Sequence, residues 1–252
     1  GGMAYVWFNH RPGSITGQRK IRRAIQLSFD TDLFVNKVIA VPGYKPAHSF
    51  FPSWLNGVDA KFSSEYPPTI VQPDSKQALK LIQEVKEEMR LESIPEMTLL
   101  TVASPTGVKI GEFFQGLLGQ SLGIKVKIDQ QTFKQYLEKA RAGQFDLVLS
   151  SWFPDFNDIV TYADLMASWN PNNRGVYVNA EYDRYFRILQ GSTDRRDRMD
   201  AAAELQKIIT DDVPLLPTAE TGSAYLQHPK LKGVVRRVLG QDPDYTYARV
   251  IN

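Results

Sequence analysis

The chain has 252 residues, of which 42% are hydrophobic and 23% charged, and a formal net charge of +2. That length suffices for one large domain or two small ones, and so small a charge, without a dense basic run, gives no ground for nucleic acid or an anionic membrane as partner. With no cysteine, disulfides and thiolate chemistry are excluded, and no run reaches the roughly 20 apolar residues of a membrane helix.

In chain order, Gly1 and Gly2 read as a non-native addition ahead of a strand-like AYVWFN. Residues 18–27 carry Ile21, Ala24 and Ile25 at helical spacing. Asp30 suits the cap of a second helix bearing Leu33, Phe34, Val35, Val38 and Ile39, with Pro42-Gly43 as its stop. Residues 44–73 are rich in Pro, Ser and aromatics without periodicity and read as a long irregular loop. Asp74 then caps a helix expected to bury Ala78, Leu79, Ile82, Val85 and Met89.

A regular alternation follows. Residues 97–103 form a strand, 105–122 a helix ended by Gly123, and 124–128 a second strand. Thr132 caps a helix with Phe133, Tyr136, Leu137 and Ala140, ended by Gly143, before a third strand at 145–152. Short links in a strand–helix–strand–helix–strand order predict parallel neighbours joined by right-handed crossovers, with helices covering both faces. Helices are expected near 159–169, 180–190 and 194–211, then a strand at 214–220 and a Gly/Pro-punctuated tail. Arg195, Arg196 and Arg198 alternate with Asp194, Asp197 and Asp200, which predicts a solvated helix face.

The most informative stretch is FDLVLSSWFPDFND, residues 145–158. It reads as a buried strand ended by Pro154, which cannot donate to a sheet ladder. Ligands of open α/β sheets bind beyond the carboxyl ends of the strands, so Trp152, Phe153, Asp155 and Phe156 are expected at a ligand-facing edge.

Catalytic signatures are missing. The one Gly-x-Ser-x-Gly run, Gly119 to Gly123, falls at the end of the helix-like stretch 105–122 and not on a strand-to-helix turn, no phosphate loop occurs, and Gly107, Gly111, Gly116 and Gly119 do not follow the dinucleotide pattern. His10, His48 and His228 stand singly, without the spacing of a metal site. Asp155 with Asp158, and Asp211 with Asp212, are carboxylate pairs only in the primary sequence; the second is expected at a helix end. No catalytic residue, metal ligand or cofactor is assigned, and an enzyme is not expected.

The order of motifs resembles the C-terminal half of the family 5 extracellular solute-binding proteins, the oligopeptide and dipeptide receptors of ABC importers. In the first segment Phe8, Asn9, Pro12, Arg19, Arg22, Ala24, Asp30 and Lys37 fall in step. In the second, Leu122-Gly123-Ile124, Val126, Gly143, Phe145-Asp146, Trp152 and Asp155 do so. The third aligns Asn173, Tyr177, Asn179, Glu181, Asp183, Asp194, Arg198, Gln206, Ile208, Asp212, Pro214 and Pro217.

The resemblance implies a fragment: one lobe of a type II periplasmic-binding-protein fold, α/β with a mostly parallel central sheet and helices on both faces. Residues 1–10 would be a strand of a missing first lobe, 11–218 the second, ligand-binding lobe, and 219–252 a return segment to the first lobe, so that apolar surface is left exposed. It further implies a monomeric receptor outside the cytoplasm, in the periplasm or lipid-anchored on the outer face, which passes peptides to the transmembrane subunits of an ABC permease. One lobe alone is expected to bind poorly, because affinity comes from enclosing the ligand on both sides.

The site residues carried over are Asp155 for a peptide ammonium, the backbone of Ser151, Trp152 and Phe153 for an extended peptide, and Trp152, Phe133 and Phe156 as apolar walls. Each has a structural alternative: Phe133 as core, Trp152 buried against the sheet, Asp155 as a turn cap. Ile159 stands where many relatives have proline, and the basic residues that hold a peptide carboxylate in some relatives have no match, Leu149 and Ala140 falling near those positions with Arg141 only a neighbour. Alternatives are the sensing domain of an intracellular regulator or a receptor for a nickel chelate, haem or sugar.

Overall fold

The computed structural model describes residues 1–237 and 243–251. Its centre is β1 (Gly2–Phe8), within the residues that the resemblance assigned to a missing first lobe. β1 pairs antiparallel on both sides, with Met3 opposite Trp152 on one and Trp7 opposite Leu215 on the other. Alternation of apolar residues explains why it belongs there. Met3, Tyr5 and Trp7 point into one core and Val6 and Phe8 into the other, as a strand covered on both faces requires. Gly2 is part of this strand, its N–H donating to Thr221 Oγ1 at 2.8 Å.

The helices on the first half of the chain follow from their caps. α1 (Arg19–Ser28) buries Ile21, Ala24, Ile25 and Leu27. The Asp30 carboxylate accepts from the Leu33 N–H at the start of α2 (Thr31–Leu33), which widens into a looser coil at Phe34–Ile39 and ends at Ala40 with φ of 51°, before Pro42 is reached. The irregular stretch that follows holds a short edge strand, β2 (Lys45–Pro46), and one helical turn, α3 (Phe62–Glu65). In α4 (Ser75–Met89) Ala78, Ile82 and Val85 are buried, but Leu79 is 51% exposed and Met89 42%. A single contact stripe is narrower than the five-residue set the sequence suggested.

β3 (Met97–Val102), α5 (Pro105–Leu122), β4 (Val126–Gln131), α6 (Phe133–Ala142) and β5 (Leu147–Trp152) form the expected unit. β3 lies parallel to both β4 and β5. Gly123 and Gly143, at φ of 66° and 70°, end the two helices. Because the chain steps from β3 to β4 and then back past β3 to β5, two crossovers of the same hand place α5 and α6 on opposite faces. After β5 come α7 (Val160–Ala163), which is shorter than expected because it passes into a tight turn at Asp164–Met166, then α8 (Ala180–Gly191) and α9 (Arg195–Asp212).

β6 (Leu215–Thr221) returns alongside β1, so a boundary at residue 218 cuts through a strand. The sheet order is β2-β6-β1-β5-β3-β4, with β1 and β2 antiparallel to the other four. Helices α1, α4 and α5 cover one face, and α6 to α9 the other. Beyond Thr221 the chain leaves the sheet and forms a ribbon of β7 (Leu231–Lys232) and β8 (Arg249–Val250), with Leu226, Tyr247 and Val250 exposed. Parts of this expected return segment, 238–242 and 252, lie outside the described residues.

Candidate functional site

β3 and β5 are hydrogen-bonded neighbours for two pairs only, Leu99–Leu147 and Leu100–Val148. Beyond them β3 stays with β4 as far as Val102–Gln131, while β5 stays with β1 as far as Trp152–Met3. The two strands therefore part at their carboxyl ends, at the point where the connections leave in opposite directions, which is where α/β sheets open a crevice. A cavity of about 510 Å³ lies there, walled by β1, β3 and β5, the start of α5, and α6.

One edge of β5 is consequently free of a partner strand over residues 149–152. Tyr136 partly fills this gap. Its hydroxyl donates to the Leu149 carbonyl at 2.8 Å and lies 2.8 Å from Ser150 Oγ. Burial raises the Tyr136 phenol pKa, keeping it a neutral donor. Trp152 is half-buried and its indole N–H donates to Thr161 Oγ1 at 3.2 Å. Phe153 lies over Gly2: a β-carbon there would stand 2.6 Å from the Trp152 carbonyl oxygen and 2.8 Å from Phe153 Cδ1. The smallest residue is what lets the ring settle on the sheet.

Phe133 opens α6 just after the Thr132 cap and is 63% exposed, stacked on Tyr136 with ring planes 15° apart. Ser151, Trp152, Phe153 and Phe133 thus all line the cavity. Asp155 and Phe156 do not; they sit on the loop after Pro154, both exposed.

The two carboxylates of that loop differ. Asp158 is bound by Arg198 Nη2 at 2.7 and 2.8 Å and accepts from the Val160 N–H at 2.9 Å. Asp155 has no ion pair among the described residues. Asp158 is therefore an anchor for the loop, and Asp155 is left available. Arg198, expected on a solvated face, instead reaches back to Asp158 and to the Leu189 carbonyl.

A family model for bacterial extracellular solute-binding proteins, family 5 Middle, matches residues 1–174. The chain belongs to this family. It is 27% identical over 87% of its length to the dipeptide-binding protein DppE of Bacillus subtilis. It is 28% identical over 99% of its length to the periplasmic murein peptide-binding protein MppA of Escherichia coli. It spans 40% of the first and 45% of the second, a little under half of each. The substrate-binding domain of an oligopeptide ABC transporter from Bacillus anthracis superposes on the whole chain with a TM-score of 0.92 at 26% identity, half of that protein being covered.

In this chain the residues that make the family recognisable are mostly scaffold. Asn9 Nδ2 donates to the carbonyls of Gly143 and Phe145, and Asp146 Oδ2 accepts the Thr98 N–H, fixing how β1, β3 and β5 meet. Arg22, 3% exposed, donates to the carbonyls of Thr16, Gly17, Asp212 and Val213 and to the Asp212 carboxylate. Tyr177 closes the same cluster with a 2.7 Å bond to Asp212 Oδ2. Asp212 does sit at a helix end, as expected.

Among the cavity residues not read as site residues from the sequence are three polar ones, Tyr136, Ser150 and Arg174. Tyr136 had a signal, one helical turn after Phe133. Arg174 had none, because only the fold brings the loop after α7 under α6.

Proposed function

We propose that this chain is the C-terminal, ligand-binding half of the substrate-binding component of an ABC importer, and that its cargo is a peptide held at the cleft between β3 and β5. The open edge of β5 carries this reading. An extended peptide can take up the backbone groups that β3 leaves unpaired, which binds main chain and ignores side-chain identity. Ser151, Trp152 and Phe153 supply that edge, Phe133 and Trp152 the apolar walls, and Phe156 the rim. Asp155, exposed and without an ion pair among the described residues, is suited to the peptide ammonium.

The curated relatives are named for dipeptide and murein-peptide binding, which supports the same cargo class. The exposed Leu226, Tyr247 and Val250 of the C-terminal ribbon support its role as a return segment packing on a first lobe. The receptor works as a monomer outside the cytoplasm, hands its cargo to the membrane subunits of the importer, and performs no chemistry on it.

Calorimetry on the full-length receptor tests this reading, with short peptides carrying a free or an acetylated amino terminus. Binding of the free form is expected, with acetylation weakening it by about tenfold or more, the worth of one charge-assisted bond. Absence of binding by any peptide would remove the peptide reading. Equal affinities for the two forms, or an equal loss for both in Asp155→Asn, would remove the role of Asp155.

A further inference from the structure

The geometry points to a buried water site between Tyr162 of α7 and Glu220 of β6, which pins the helix behind the loop at 153–158 to the end of the sheet. The inference does not depend on the cargo.

Tyr162 is fully buried, and its Oη is the one buried side-chain polar atom without a hydrogen-bond partner among the described residues. Three other deep phenols show the usual arrangement. Tyr136 donates to the Leu149 carbonyl, Tyr182 to the Ala163 carbonyl at 2.8 Å, and Tyr177 to the Asp212 carboxylate at 2.7 Å. A buried hydroxyl left without a partner costs more than one satisfied bond returns. The rings around Tyr162 supply no acceptor: Phe50 and Trp54 meet it edge-on at centroid distances of 6.0 and 6.2 Å.

Glu220 supplies one. It stands opposite Met3 of β1, and directly opposed residues of neighbouring strands share a face of the sheet. Met3 and Tyr162 belong to the same core, beneath α6 to α9. The Glu220 oxygens accept from the Ser53 N–H at 2.7 Å and from Ser53 Oγ at 2.9 Å. An ionised carboxylate has about four lone-pair sites, so acceptor capacity remains. Glu220 is also the charge that acts on the Tyr162 phenol; burial and then that charge raise its pKa and keep the hydroxyl protonated. Yet the two groups make no direct bond. One water joins them, taking the phenol proton and giving one of its own to the carboxylate. Glu220 is only half-buried, which gives that water a way in.

The position gives the site a task. α7 spans only Val160–Ala163, and so short a helix has little stability of its own. Its anchors therefore set where it lies. Thr161 accepts the Trp152 indole N–H, and Asp158, just ahead of the helix, is held by Arg198. The water bridge adds a third fastening, to the end of β6.

The sign of one substitution is decisive. Tyr162→Phe removes the hydroxyl and keeps the ring. With the water in place it should lower the urea midpoint of the protein and raise the unfolding constant about fivefold, the worth of one hydrogen bond. Glu220→Gln should weaken the fold too, and the double variant should lose less than the sum of the two, because both act on one bridge. A crystal structure should show a water within about 3 Å of both Tyr162 Oη and a Glu220 oxygen. A midpoint that stays or rises in Tyr162→Phe would overturn the site, since a buried hydroxyl with nothing to bond is better removed. Strictly additive losses would do the same, as would density showing the hydroxyl dry or bonded directly to the carboxylate.

Discussion

The junction around Arg22 and the loop at residues 153–158 treat charge in opposite ways. At the junction the buried charge is matched: Arg22 meets Asp212 and four carbonyls, and His10 is wedged against Tyr177 and the Pro214 carbonyl. On the loop, a few residues apart, one carboxylate is tied to Arg198 and the other faces solvent. The difference separates a charge committed to the fold from one left without an ion pair among the described residues. Residue type does not make that distinction; the partner does.

The contrast is sharpest at Arg22. Replacing it with Met should lower stability by about 3–5 kcal/mol, because it strands several buried carbonyls and an acid. Urea unfolding of the protein measures this, and a change under about 1 kcal/mol would mean the junction contributes no more than an exposed ion pair does.

His10 gives the next largest effect, and one that depends on pH. Burial, followed by the nearby Arg22 charge, lowers its pKa to about 4, while Asp212 and the bond to Pro214 pull weakly the other way. The folded state thus holds a neutral imidazole at pH values where the unfolded chain, near 6.5, is already protonated. Its contribution is complete above about pH 6.5 and is lost as pH falls toward 4, up to about 3 kcal/mol. His10→Gln should flatten the stability–pH curve in that window; an unchanged slope would show that other groups set it.

Asp158 and Asp155 test the loop itself. Asp158→Asn loosens a part-exposed ion pair and should cost about 1 kcal/mol of stability. Any accompanying loss of peptide affinity should then be the same for free and acetylated amino termini. Asp155→Asn should leave stability within about 0.5 kcal/mol, as for a surface change without partners. Identical behaviour of the two variants would erase the distinction between anchor and free group.

Phe133→Ala carries the smallest expected effect on stability, also within about 0.5 kcal/mol, since its ring is mostly in water. Its loss should be felt only in ligand affinity. An unfolding midpoint that falls as it would for a core phenylalanine would return Phe133 to the interior.

The sequence by itself determined the β3-α5-β4-α6-β5 unit. Short links and near-continuous apolar strands leave few ways to close, and Thr132, Gly123 and Gly143 mark the helix ends. It also located the loop at 153–158, because Pro154 after an apolar strand is a local signal. Only tertiary structure decided where β1 sits. A strand buried on both faces looks the same whichever sheet receives it, and its partners Leu147 and Leu215 lie more than a hundred residues away in the chain. Tertiary structure likewise set Asp158 against Arg198, left Asp155 open, and brought Arg174 beneath Tyr136. A charge is bound or free according to what the fold places within about 4 Å of it, and no spacing along the chain encodes that distance.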